Sequence, residues 1–161
     1  MVRLRNRYLL CEINFDDQRT NIAVMSNDLL NEIKQSVVTM HGDYGIGSVM
    51  PGFNVKYLNP YTRIFIVRSR RRSYKFVSTA LPFMKKLLDK PCRITTLHCG
   101  GTIRSCQKFL LKYQRQQLSA VLLKCKTDPE QKKVKESILK CTLKDVEGEG
   151  CLEEEEDIDS S

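Results

Sequence analysis

The stretch Thr95–Arg115, TTLHCGGTIRSCQKFLLKYQR, decides how the rest of the chain is read. Ile94, Thr95, Thr96 and Leu97 are β-branched or apolar and predict a short strand, which Gly100 and Gly101 break at a tight corner. Thr102 then predicts a helix N-cap, because its hydroxyl can accept a backbone N–H that the first turn leaves unpaired. Ile103, Cys106, Leu110, Tyr113 and Val121 follow at helical spacing as the apolar side, and Arg104, Lys108, Lys112 and Arg115 stand opposite them.

Two glycines let a large anion approach the backbone, and the helix N-terminus offers free N–H groups and a partial positive charge. The basic stripe carries that field along several turns. Gly100, Gly101, Thr102, Arg104, Lys108, Lys112 and Arg115 are therefore a candidate seat for a phosphate backbone. The same residues also describe an ordinary strand-to-helix corner with a solvated Lys/Arg face, since a Gly-Gly pair falls short of a full phosphate-binding fingerprint.

Toward the N-terminus, Pro91 closes the loop into this unit, and Phe76, Val77, Ala80, Leu81, Met84, Leu87 and Leu88 predict a helix kinked by Pro82. Before it, residues 53–58 and Arg63 to Ser69 predict a hairpin through Asn59-Pro60, with Tyr57-Leu58 facing Ile64-Phe65. The second strand runs out into Arg68, Arg70, Arg71, Arg72 and Lys75, five cations within eight residues and a second candidate phosphate contact. Ser26 predicts the cap of a helix carrying Leu29, Leu30, Ile33, Val37 and Met40 on one face. Gly42 stops it, and a glycine-bearing loop covers 43–48. The first strand is Tyr8 to Ile13, after a turn-free basic arm with Arg3, Arg5 and Arg7.

Toward the C-terminus, Asp128-Pro129-Glu130 is a helix-start signature, and Val134, Ile138 and Cys141 give that helix a thin apolar stripe. The order β, α, β, β, α, β, α, α predicts an α+β protein. Its plan is a ferredoxin-like, RRM-like antiparallel sheet with helices on one face plus C-terminal helices. Residues 1–125 form the RNA-binding domain, 126–146 a C-terminal helix, and 147–161 an acidic tail, disordered by composition. The strand TRIFIVRS lacks the glycines and placed aromatics of an RNA-recognition motif, so base stacking on an open sheet is not expected.

The charge balance agrees with a polyanion partner. The 161 residues carry a net +8, but 147–161 hold eight acidic and no basic residues. Residues 1–146 thus carry 27 basic against 19 − 8 = 11 acidic residues, a net of +16. Such self-repulsion suits a protein that works against nucleic acid. No apolar run of transmembrane length, signal h-region or lipidation motif points to a membrane. Seven cysteines without a CxxC pair or zinc-type His spacing read as reduced core residues, which fits cytosol or nucleus.

Two other chemistries compete. His98-Cys99 before Arg104-Ser105 has the flavour of a cysteine-phosphatase loop, but four residues, not five, separate Cys99 from Arg104, and no general acid accompanies them. A protein-interaction module whose cations meet acidic partners uses the same charges differently. The salt dependence of RNA binding separates it from an RNA binder.

MVRLRNRYLL at 1–10, YLNPYT at 57–62, ALPF at 80–83 and TLHCGGTIRSCQKFLLKYQRQQL at 96–118, followed by an acidic tail, resemble the Pop-five protein subunits of eukaryotic ribonuclease P and ribonuclease MRP. The resemblance covers nearly the whole chain. It implies an RRM-like fold in a nuclear and nucleolar ribonucleoprotein whose RNA, not the protein, carries the catalytic site and requires Mg2+. It further implies 5′-leader removal from precursor tRNA, precursor rRNA processing, and partnership with the catalytic RNA and a TIM-barrel-like protein subunit. Contact with precursor tRNA itself is left open. The matched block contains Gly100, Gly101, Thr102, Arg104 and Lys108, whereas the Arg68 to Arg72 run rests on charge alone. No cofactor is implied for the protein itself.

Overall fold

The computed structural model describes residues 5–16, 24–124 and 128–140. Arg3, Cys125, Cys141, Cys151 and the acidic tail expected at 147–161 lie outside the described residues.

Five strands form one antiparallel sheet: β1 (Asn6–Phe15), β2 (Asn54–Asn59), β3 (Ile64–Arg70), β4 (Lys86–Leu87) and β5 (Lys90–Gly100), in the order β2-β3-β1-β5-β4. The helices are α1 (Ser26–Val49), α2 (Tyr74–Ala80), α3 (Ile103–Lys124) and α4 (Asp128–Lys140), with a 3-10 turn at Leu81–Phe83. The central strands explain the layering. Leu9, Leu10 and Cys11 are consecutive and all fully buried, as are or nearly are Ile64, Phe65, Ile66 and Val67. Side chains alternate between sheet faces, so consecutive burial requires cover on both faces.

One cluster places Leu9, Cys11, Ile13, Phe65 and Val67 against Leu29, Ile33 and Val37 of α1 and Val77 and Ala80 of α2. The other places Leu10, Tyr57, Ile64 and Ile66 against Cys106 and Leu110 of α3. α1 and α2 thus share one face, as expected of the core plan. α3, one of the expected C-terminal helices, to which no face was assigned, returns over the opposite face after the Gly100-Gly101 corner at the end of β5.

The hairpin expected at Asn59-Pro60 forms, with Leu58 opposite Phe65 and Asn59 opposite Ile64. Asn59 Oδ1 accepts the Tyr61 N–H at 2.9 Å and the Thr62 N–H at 3.2 Å, an Asx turn that explains the asparagine in YLNPYT.

Three expectations change. Gly42 does break α1, with φ 64° and ψ −162°, but 43–49 resume helix instead of forming a loop. A Cβ at Gly45 would collide with His41 Cβ, so the glycines of this segment permit a tightly folded kink. Ser26 does not cap α1: Met25 occupies that position, and no side chain accepts there. The second helix ends at Ala80, since the ring of Pro82 cannot continue it. Leu87 lies instead in a two-residue hairpin whose turn residues, Leu88 and Asp89, have φ 51° and 60°. Pro91 is consequently inside β5, opposite Lys86.

Candidate nucleic-acid interface

The register of β1 assembles the site. Tyr8 pairs with Arg68 of β3 on one side and Gly100 of β5 on the other, and Asn6 pairs with Arg70. Adjacent strands lie about 4.8 Å apart, so the Arg68 and Gly100 backbones are only about 10 Å apart across the sheet. The two cationic stretches singled out in the sequence thus meet at one end of the sheet.

On the α3 side, Thr102 Oγ1 accepts the Ser105 N–H at 3.2 Å, which is the expected N-cap. The two glycines play different parts. Gly100 is buried, and a Cβ there would lie 3.2 Å from Cys106 Sγ and from Ser105 Cβ and Oγ, so its role is to let α3 close onto β5. Gly101 is exposed, and a Cβ would lie 3.5 Å from Arg7 Nη1. The glycines with positive φ among the described residues are Gly42 and Gly52, so neither corner glycine is needed for a left-handed turn.

Arg104, Lys108, Lys112 and Arg115 are exposed along α3. At 100° per residue they fall within one face, and 11 residues of helix extend about 16 Å. The apolar face behaves differently from the expectation beyond Tyr113. Ile103 and Tyr113 are half-buried and Cys106 and Leu110 fully buried, but Val121 is 47% and Leu123 88% exposed. Only the first three turns of α3 lie on the sheet. The distal half projects past it and packs α4, and an open groove of about 750 Å³ runs along α3 from Lys108 to Leu123, lined by Lys108, Lys112 and Arg115 with Leu111, Ala120 and Leu123.

On the β3 side, Arg68 is half-buried and its Nε donates to the Gly52 carbonyl at 3.3 Å, so it also holds the entry to β2. Arg70 is half-buried with its Nε 3.5 Å from a Cβ position on the same glycine. Arg71 and Arg72 are exposed on the turn into α2. The Arg71 N–H donates to the Arg5 carbonyl at 2.8 Å, and the Ser73 N–H to the Arg70 carbonyl at 3.0 Å. Those bonds bring Arg5 and Arg7 beside both cationic stretches. Their alternation in the N-terminal arm was the available signal, but only cross-strand pairing reveals which cations they join.

The nucleophile chemistry finds no matching geometry. Cys99 is exposed at the end of β5, before the turn into α3. The His98 ring stacks on Phe109 at 4.7 Å and 9°, with Nε2 3.3 Å from Ser105 Oγ, as a packed strand residue does. Burial pushes the thiols of Cys11, Cys92 and Cys106 up to about 12, 11 and 11, respectively, so they remain protonated at neutral pH. No group of three or more His, Cys, Asp or Glu side chains able to hold a metal occurs among the described residues. No described helix is long and apolar enough to cross a membrane.

These features define a class: a small α/β protein with an antiparallel sheet covered on both faces and two cationic stretches, one at the end of β3 and one along α3 from the β5 corner. Within that class, the chain belongs to the Rpp14/Pop5 family, whose model matches residues 7–111. It is 40% identical to the ribonuclease P/MRP protein subunit POP5 of Bos taurus, over 93% of this chain and 91% of the bovine one. Identity to the Homo sapiens subunit of the same name is also 40%, over 93% of this chain and 95% of the human one. In solved structures, a chain of the yeast ribonuclease MRP cryo-EM structure aligns with a TM-score of 0.49 and 13% identity, covering 74% of this chain and 98% of that one.

Proposed function

We propose that this chain is a non-catalytic protein subunit of the ribonuclease P and ribonuclease MRP ribonucleoproteins that binds the catalytic RNA through its phosphate backbone. Membership of the family supports the particle. The observation that supports the RNA role is the β1 register: Tyr8 pairs with Arg68 on one side and Gly100 on the other, so the end of β3 that leads into Arg70, Arg71 and Arg72 and the corner that leads into Gly101, Thr102, Arg104 and the Lys108, Lys112, Arg115 stripe lie at the same end of the sheet. Since α3 covers the face on which RNA-recognition domains stack bases, contact runs through phosphates, which position RNA without reading its sequence. The β2-β3-β1-β5 order supports a ferredoxin-like core extended by β4.

In this reading the protein supports 5′-leader removal from precursor tRNA and precursor rRNA processing in the nucleus and nucleolus, while the RNA performs cleavage with Mg2+. Its protein partner is a TIM-barrel-like subunit of the same particle. In this reading the chemistry belongs to the RNA, and no acid, base or nucleophile among the described residues is assigned to it.

Replacing Arg104, Lys108, Lys112 or Arg115 with Ala tests the seat. Each lost phosphate contact is expected to lower the magnitude of the log–log salt slope of binding by about 0.7 to 0.9, similarly for RNAs of different sequence. If the charges instead meet an acidic protein, RNA affinity and slope stay at wild-type values in the folded quadruple variant.

A further inference from the structure

We propose that Leu152–Asp159 of this same chain docks in the groove along α3 and there competes with RNA; the competing half rests on the reading of the α3 stripe as an RNA seat. The groove has a mixed chemistry that phosphates alone do not use. Its lining combines the cations Lys108, Lys112 and Arg115 with the apolar Leu111, Ala120 and Leu123 and the polar Gln116 and Ser119. Leaving Leu123 88% exposed in the same groove as these cations has no packing benefit within the described residues. An occupant that satisfies both parts must bring several negative charges together with aliphatic side chains.

The sequence contains that combination once. LEEEEDID, residues 152–159, holds six carboxylates between and beside Leu152 and Ile158. Its length also fits. Lys108 to Leu123 spans about 22 Å of helix, and eight extended residues span about 26 Å.

The tether reaches. α4 packs against α3 and is about 20 Å long, and the 12 residues from Lys140 to Leu152 can extend about 40 Å. Every position along the groove lies within that radius. Tethering keeps the segment at an effective concentration of the order of millimolar, so even weak docking competes with RNA. Docked carboxylates also cancel the positive field that draws a polyanion to Lys108 and Lys112. The result is a threshold: an RNA must displace the segment, which a multivalent phosphate array in the correct geometry does better than a short, arbitrary one.

The test uses full-length protein in three forms: wild type, a tail-neutral form with Glu153, Glu154, Glu155 and Glu156 changed to Gln and Asp157 and Asp159 to Asn, and Leu152→Ser/Ile158→Ser, which keeps every charge. Zero-length carbodiimide cross-linking of the wild type at low salt is expected to join Lys108 or Lys112 to carboxylates of 153–159, and both altered forms are expected to lose those links. Both altered forms should bind a short non-specific RNA about threefold to tenfold more tightly than wild type at low salt, with the difference fading as salt screens it. The serine form is decisive, because a tail acting only through its charge would leave it identical to wild type. Identical RNA binding by the serine form, or cross-links spread evenly over lysines outside the groove, overturns the docking. If the cross-links form at Lys108 or Lys112 but none of the three proteins binds RNA, docking stands and the competition, along with the RNA reading, is overturned.

Discussion

Cys11 illustrates how the interior disposes of a reactive group. Its thiol lies wholly inside, donating weakly to Thr96 Oγ1 at 3.7 Å, and burial raises it from an ordinary value of 9.0 to about 12. In the unfolded chain the thiol ionises near 9, so it binds a proton more tightly in the fold. Its contribution to stability is complete below pH 9 and is lost as pH rises toward 12, at about 1.4 kcal/mol per pH unit. Cys11→Ala is expected to cost about 1 kcal/mol at pH 7 through the small cavity it leaves. Between pH 9 and 10 its urea-unfolding free energy should fall by about 1 kcal/mol less than that of wild type. Parallel pH profiles would show that water reaches the thiol in the native state. Burial likewise raises the thiols of Cys92 and Cys106, which leaves them poor nucleophiles at neutral pH.

At the level of elements, the junction between β5 and α3 is tightly constrained at one of its two glycines. A methyl group on Gly100 would press at 3.2 Å on Ser105 and Cys106, both fixed by the capped first turn of α3, whereas one on Gly101 would meet Arg7 at an ordinary 3.5 Å. Gly100→Ala should therefore lose about 1–3 kcal/mol in urea unfolding, and Gly101→Ala should change stability by less than about 1 kcal/mol. Equal losses would mean that the glycines act through conformational freedom alone. The elements were legible to different degrees for physical reasons. Thr102, the 57–62 hairpin and the Asp128 helix start carry local signals, and each is observed where those signals put it. The cover on the second sheet face was legible too, in the unbroken runs Leu9-Leu10-Cys11 and Ile64 to Val67, but demands a reading of burial rather than of secondary structure. The β4–β5 hairpin was not legible. Apolar residues at Met84, Leu87 and Leu88 suit a helix as well as a hairpin, and its turn uses Leu88 and Asp89 at positive φ where Asn-Gly would have announced it.

At the scale of the whole molecule, both halves of the candidate interface were visible in the sequence, but their adjacency was not. About 30 residues separate Arg72 from Gly101, and only the pairing of β1 with β3 and β5 puts them side by side. That pairing makes one surface of two charge runs, and it has a measurable consequence. If a single RNA segment crosses the sheet end and continues along α3, then Arg71→Ala/Arg72→Ala and Lys108→Ala/Lys112→Ala should each lower the magnitude of the salt slope by about 1.4 to 1.8. The two pairs sit on separate elements, so their effects on log affinity should add, giving a combined slope change of about 3. Filter binding of one RNA across a salt series, with thermal unfolding of each variant measured alongside, supplies both numbers. A combined variant whose slope is no lower than that of the more affected pair would mean that the RNA occupies only one of the two runs, and that the cations at the other serve a different partner.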